Sequence, residues 1–240
     1  MPDALNKVVE NAQMALADLF DGATIMSGGF GLSGGAENCI SAIAESGKKN
    51  LTIISNNCGN QGQGLAILLK NRQVKKVICS FVGGNPDLEE LMLNNAIDVE
   101  LNPQGTLAER IRAGGVGIGG FFTPTGVGTV IAQNKEHRIF NGKEMIFESA
   151  LTADFAILRA HVADTYGNLR FYRTSQNFSK AMAMAGKITV VEAENILPFG
   201  HLDPDDVHLP GLFVQRIFQG QDHQNVIEFL KVRSINNSLS

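Results

Sequence analysis

Three groups of residues in this chain have types and spacings that could do chemistry. The first is Gly28-Gly29-Phe30-Gly31-Leu32-Ser33-Gly34, in which Gly29, Gly31 and Gly34 fit the pattern G-x-G-x-x-G. Small residues with backbone N–H groups ahead of a helix make a seat for an anionic or carbonyl oxygen. The second is the pair Asn56-Asn57, with Gln104 further along. Neutral amides can donate to a carboxylate or a developing oxyanion. The third is a scatter of single residues. His137, His161, His201, His208 and His223 show no ligand spacing with one another or with Cys39, Cys58 and Cys79, so no metal is expected. Three cysteines without C-x-x-C spacing argue against a disulfide framework. Ser33 and Cys58 lie in glycine loops, but no His or Asp is placed to complete a triad. Lys187 and Arg173 are candidates to meet a phosphate, Phe30, Phe121 and Phe122 to line an apolar channel, and His161 reads as a core or loop histidine.

A glycine pattern after a strand and before a helix is also what dinucleotide binding requires. Two features weaken that reading. An acid is expected about 20 residues on to hold a ribose hydroxyl, and the stretch Leu51 to Asn57 contains none. A phenylalanine, Phe30, also stands in the tightest part of the turn.

The elements that must position these residues follow from apolar spacing. Leu5, Val8, Val9, Ala12, Ala15, Leu16 and Leu19 recur at helical intervals, with Asp3 as a cap and Asp21-Gly22 as a stop. A strand at Thr24-Ile25-Met26 enters the glycine loop, and a helix from about Ala36 stops at Gly47. Strand Leu51 to Ser55, loop Asn56 to Gly64, a short helix and strand Val74 to Phe81 follow. Asn85 caps and Pro86 opens the next helix. Strand Ile97 to Leu101 then leads through Asn102-Pro103-Gln104-Gly105 into a helix from Thr106. Eight glycines between Gly105 and Gly128, broken by Phe121, Phe122 and Val127, read as an ordered functional loop. Asn141-Gly142 between two apolar-patterned arms signals a hairpin. Ala153 to Ala160, Lys187 to Ala193 and Phe213 to Phe218 read as strands. Near-continuous apolar runs separated by short connections predict an α/β fold, a largely parallel sheet covered by helices on both faces, with an added antiparallel hairpin. Residues 1–220 form one domain in this reading and 221–240 a C-terminal appendage.

Composition limits the function classes. Twenty basic and 24 acidic residues are interspersed in 240, for a formal charge of −4, so the electrostatic footprint of a nucleic-acid binder is missing. No apolar run approaches the ~20 residues of a membrane span. Acids early in the chain argue against a signal or transit peptide, and a cytoplasmic protein is the expectation. Charged residues are 18% of the chain, below the ~25% usual for soluble domains. A second polypeptide covering part of the surface would account for that.

Four motifs occur together and in order: DGATIMSGGFGLSGGAE (Asp21 to Glu37), SNNCG (Ser55 to Gly59), NPQGTLAERIRAGG (Asn102 to Gly115) and TPTGVGT (Thr123 to Thr129). With HLDPDDVHLPGLFVQRI (His201 to Ile217), they make the chain resemble family I coenzyme A transferases, specifically the A (alpha) subunit of the 3-oxoacid type. It departs from that family at Ser27 (usually aliphatic), at Ala36 (often proline) and at SQNFSK (Ser175 to Lys180), where relatives read ARNFNP. The last change bears on substrate choice and partner contacts.

The resemblance implies transfer of coenzyme A from an acyl-CoA, succinyl-CoA first, to a 3-oxoacid such as acetoacetate. Its CoA contact would be the segment Gly28 to Gly34, and its substrate contacts Asn56, Asn57 and Gln104. No permanently bound cofactor is implied. The family's nucleophile is a glutamate in an E-N-G motif on a B (beta) subunit. Glu37-Asn38 and Glu194-Asn195 here continue with Cys39 and Ile196. Glu109 reads as a helix-surface charge and Glu148 as structural, so this chain holds no catalytic residue of its own. A heterodimer or heterotetramer with a B subunit is expected. The alternatives are the corresponding half of a 3-oxoadipate or acetate/short-chain-acid transferase, and, in another class, a ligand-binding or sugar-phosphate-isomerase-like domain of the same fold.

Overall fold

The computed structural model describes residues 6–60 and 62–223. The expected Asp3 cap and the amphipathic stretch after Gln224 lie outside those residues. In chain order the elements are α1 (Ala12–Ala15), β1 (Thr24–Ser27), α2 (Glu37–Ser46), β2 (Leu51–Ile54), α3 (Ala66–Lys70), β3 (Val74–Cys79), α4 (Pro86–Leu93), β4 (Asp98–Leu101) and α5 (Gln104–Gly115). Then come β5 (Gly120–Thr123), β6 (His137–Phe140), β7 (Lys143–Ser149), β8 (Ala153–Asp164), β9 (Leu169–Arg170), α6 (Ser179–Ala185), β10 (Gly186–Leu197) and β11 (Arg216–Gln219).

Seven strands pair in parallel in the order β11-β10-β8-β1-β2-β3-β4, and β9 adds antiparallel to β8. Alternate residues of each strand face opposite layers. Ile25, Ile53, Val77, Phe155 and Val190 pack with Leu16, Ile40, Ile43, Leu68 and Leu88 of the helical layer that holds α1 to α4. Met26, Ile54, Ile78, Leu158 and Val191 pack on the other face with Leu107 and Ile111 of α5 and Met182 of α6. Two covered faces are why the strands read as continuous apolar runs. Each such side chain contributes about 1.5–3 kcal/mol on burial. The glycine-rich region is not one loop. It carries nearly all of α5 and then β5, which pairs with β7 in a separate antiparallel sheet, β5-β7-β6. The Asn141-Gly142 turn joins β6 to β7, and Phe122 lies 5.3 Å from both Phe140 and Phe147 in that sheet.

The opening helix is shorter than its spacing predicts. Only Ala12–Ala15 is helical, with Asn11 accepting from Met14 N–H as its cap. Before it the chain is extended: Val9 N–H donates to Ile217 C=O and Ile217 N–H to Lys7 C=O. The unpaired groups on the outer edge of β11 win these residues from the helix. The helix after β4 begins earlier than expected, with Pro103 as its cap and Gln104 as its first residue.

Candidate functional site

The glycine loop is held from both sides. Gly28 N–H donates to Ile157 C=O, and Phe30 and Ser33 exchange two backbone bonds of 3.0 Å. Gly29 N–H donates to Asn177 Oδ1 at 3.0 Å and Gly31 N–H to Asn56 Oδ1 at 3.2 Å. Five amides of the segment are therefore engaged within the protein. The first turn of α2 is also filled: Asn38 and Cys39 N–H groups donate to Glu192 Oε2 at 2.7 and 3.1 Å. Glu192 is fully buried, and its other oxygen meets His223 Nε2. The anion seat expected from the sequence is occupied by the protein's own carboxylate, in the place a dinucleotide pyrophosphate would need. What the loop offers instead is a firm, small-residue wall. Glycine is required at Gly28, where a Cβ would sit 2.7 Å from Ser179 Oγ, and at Gly34, where φ is +76° and a Cβ would meet Ser175 at 3.0 Å.

Asn56 and Gln104 come together although 48 residues separate them: Asn56 Nδ2 donates to Gln104 Oε1 at 2.9 Å. The polarity of this chain is dictated at its start. A backbone N–H can only donate, so the oxygen of Asn56 faces Gly31 and its NH2 faces Gln104. Gln104 must then accept through Oε1, which leaves Nε2, with both its hydrogens, without a partner among the described residues. Gln104 is exposed while Asn56 is buried. The result is a neutral donor fixed in orientation and open to a ligand. Asn57 is buried beside Asn56, following β2. Asn56, Asn57 and Gln104 all follow strand ends, where α/β sheets place ligands.

The helix that carries Gln104 is tied down six residues later. Arg110 is buried. It donates to Glu100 Oε1 and Asn102 Oδ1 at 2.6 Å each and to Ser149 C=O at 2.7 Å. Burial alone would raise the Glu100 carboxyl. Hydrogen bonds and charge from Arg110 and Lys76 outweigh it and hold the group down at about 2. Glu109 pairs with Arg112 on the surface, and Glu148 is buried against Lys135.

Two cavities flank the glycine loop, and both include Leu32. One, of about 350 Å³, is lined by Gly28, Gly31, Glu37, Ile40, Ser55 and Leu65, among others. The other, of about 380 Å³, is lined by Ser33, Gly34, Arg159, His161, Arg173 and Glu194, among others. Arg159 Nε and Nη2 donate to Glu194 Oε1 at 3.0 and 2.7 Å, and His161 Nδ1 meets Glu194 Oε2 at 2.7 Å. Burial would raise Glu194, but hydrogen bonds and charge from His161 and Arg159 leave it below the usual carboxylate range. Sequence reasoning did not assemble this cluster or find Asn177. Its one local signal is the alternation of Arg159 and His161 within the apolar middle of β8. The remaining candidates are dispersed. Lys187 pairs with Asp154 at the surface. Phe121 and Phe122 lie in the small sheet, and Phe30 is exposed. Cys58 is fully buried with its thiol pushed well up by that burial. Among the described residues no His/Cys/Asp/Glu group could hold a metal ion, and no helix is long and apolar enough to cross a membrane.

Residues 9–220 match the coenzyme A transferase family model. The chain is 52% identical, over 96% of its length and 99% of the relative's, to the A subunit of the succinyl-CoA:3-ketoacid coenzyme A transferase of Helicobacter pylori. It is 44% identical to the A subunit of the 3-oxoadipate CoA-transferase of Pseudomonas putida, covering 89% of this chain and 93% of that one. It is 42% identical to the human mitochondrial succinyl-CoA:3-ketoacid coenzyme A transferase 2, over 90% of this chain but only 45% of that protein. Among solved structures, an acyl-CoA transferase of Escherichia coli O157:H7 superposes with a TM-score of 0.81 at 24% identity, over 90% of this chain. This chain spans about half the length of that solved structure, 47%. Glutaconate coenzyme A-transferase of Acidaminococcus fermentans gives a TM-score of 0.80 at 18% identity, with 89% and 75% covered.

Proposed function

Since the chain belongs to the coenzyme A transferase family, we propose that it is the A subunit of a two-chain 3-oxoacid CoA transferase. The complex moves coenzyme A from succinyl-CoA to a 3-oxoacid such as acetoacetate. The relatives named for succinyl-CoA and a 3-ketoacid reach 52% identity against 44% for the 3-oxoadipate relative, which favours the former substrate pair. A thioester and a carboxylate stand on each side of this exchange, so it is nearly balanced and needs no ATP.

The partner B subunit supplies a glutamate, whose carboxylate attacks the thioester carbonyl. The C–S bond breaks, coenzyme A leaves as thiolate, and an acyl-glutamyl anhydride remains. The thiolate then attacks the glutamyl carbonyl, releases the first acid as its carboxylate and leaves a glutamyl-CoA thioester. The incoming acid reverses the sequence. Splitting one exchange into two covalent steps gives ping-pong kinetics. The human relative, in which this chain's counterpart is less than half of one polypeptide, supports a missing second half.

The observation that carries the reading is the polarity of the Gly31–Asn56–Gln104 chain. It presents Gln104 Nε2 as a donor to the substrate carboxylate or to the oxyanion formed on attack, and being neutral it leaves the incoming glutamate ionised. Asn57 assists from the same strand end, and Gly28 to Gly34 form the wall along which the coenzyme thioester lies. Coenzyme A is a substrate here, with no permanently bound cofactor.

The test is reconstitution. The purified chain alone transfers no coenzyme A between succinyl-CoA and acetoacetate, and addition of the B subunit restores transfer. A panel of acetoacetate, acetate and 3-oxoadipate then ranks the acids. Transfer by the lone chain, or a glutamyl thioester trapped on it, overturns the split site.

A further inference from the structure

The seam between β1 and β8 is where the strand order reverses: β2 to β4 lie on one side of β1, and β8, β10 and β11 on the other. In open α/β sheets, ligands sit beyond the carboxyl ends of the strands at such a reversal. The cavity of about 380 Å³ is there, with Ser33 and Gly34 from the turn after β1 and Arg159 and His161 from β8. That volume falls within the range of small-molecule sites, roughly 300–1,000 Å³.

Its charged groups divide into two kinds. Glu194 is saturated, one oxygen by Arg159 and the other by His161. Arg159 reaches Glu37 as well, so it works as a strut. A carboxylate only accepts, so His161 carries its proton on Nδ1 and that N–H is committed to Glu194. Arg173 is different. Among the described residues it makes no ion pair, and its guanidinium lies 5.1 Å above the Tyr172 ring. Its backbone is held at φ +49°, and Asn177 ends the same turn at φ +23°. Strain of this kind persists where the surroundings impose a geometry, and it clusters at ligand sites.

We propose that this cavity is a seat for a small oxyanion, with the Arg173 guanidinium as its charge and the Ser33 and Thr174 hydroxyls as donors at its rim. A guanidinium pairs in a planar, two-pronged fashion with a carboxylate or a phosphate. Two sources share this chemistry: the carboxylate of an organic acid and the phosphate of a nucleotide coenzyme. The seat stands on the cavity alone and does not depend on the transferase reading.

The chain has two tyrosines, Tyr166 and Tyr172, and no tryptophan, so tyrosine fluorescence reports on the cavity. The purified chain is titrated with sodium succinate and, separately, with inorganic phosphate at constant ionic strength. A saturable change with at least one probe is expected. Arg173→Gln weakens it roughly tenfold, the loss of one charge-assisted contact. Lys187→Gln, which removes a surface cation elsewhere, leaves it unchanged. Saturation by phosphate alone identifies a phosphate seat, and by succinate alone a carboxylate seat. Absence of saturation with both probes, or equal binding by the Arg173→Gln and Lys187→Gln proteins, overturns the proposal. Because no transfer is assayed, failure of the transferase reading would leave this titration intact.

Discussion

Replacing Gln104 by glutamate separates a positioned donor from a merely well-placed side chain. Gln104→Glu is nearly isosteric and keeps an oxygen to accept from Asn56 Nδ2. The residue is exposed, so no charge is buried. It opens α5, whose first turn carries no acid, and an anion there gains about 0.3–1 kcal/mol from the helix dipole. The melting temperature of the chain should therefore hold or rise slightly. Activity of the reconstituted complex should fall steeply. Gln104→Ala removes one hydrogen bond to a charged group, about 2 kcal/mol, or roughly thirtyfold in kcat/KM. Glutamate loses the same bond and sets a carboxylate against the substrate's. At about 4 Å that repulsion is at least ~1 kcal/mol even in water, so the Glu variant should lie at least about fivefold below the Ala variant. Steady-state kinetics of three complexes and thermal melts of three chains decide it. Glu equal to or better than Ala, with normal folding, refutes the orientation argument.

Four further outcomes are expected. Asn56→Ala leaves the Gly31 N–H without its partner and frees Gln104; urea unfolding of the chain should show a loss of about 1–3 kcal/mol. Adding Gln104→Ala to it should lower kcat/KM by less than the sum of the single effects. Gly28→Ala drives a methyl against Ser179 Oγ, a buried hydroxyl without a hydrogen-bond partner among the described residues, and should cost about 1–3 kcal/mol by overpacking. Ser179→Ala in the same chain should recover most of that, and a double variant no more stable than Gly28→Ala contradicts the stated contact. Glu100, held at about 2 against an ordinary 4.5, stabilises the fold fully above pH ~4.5 and progressively less as pH falls toward 2. The shift corresponds to about 3 kcal/mol, discounted to about 1–2 for a side chain one-third open to solvent. Urea midpoints of Glu100→Gln should be flatter between pH 4.5 and pH 2 than those of the parent.

The sheet was legible because its strands are covered on both faces, and burial writes itself into consecutive apolar residues such as Leu51 to Ile54. Caps were legible for a local reason: Asn85 receives Leu88 N–H three residues on. The opening helix misled because its competitor, the edge of β11, lies some 200 residues away and leaves no trace in nearby spacing. The site shows the same division. Asn56, Asn57 and Gln104 could be placed from strand ends. That Asn56 orients Gln104 could not, since the fixed point is a backbone N–H in another loop. Glu192 capping α2 and Asn177 clamping Gly29 act across 154 and 148 residues. Such contacts are set by which strands become neighbours, and composition carries no record of them.

The position of β1 has a consequence for how the chain is made. This strand is emerging early in synthesis, yet Thr24 N–H bonds to Asp154, 130 residues later, and Ile25 lies opposite Phe155. Half of the sheet has no template until more than 150 residues have left the ribosome. Contacts so distant in sequence slow folding and lengthen the time for which apolar edges are open to wrong pairing. The walls around the glycine turn are therefore among the last parts to close, and a stalled or truncated nascent chain would expose the unpaired flank of β1, a natural target for chaperones.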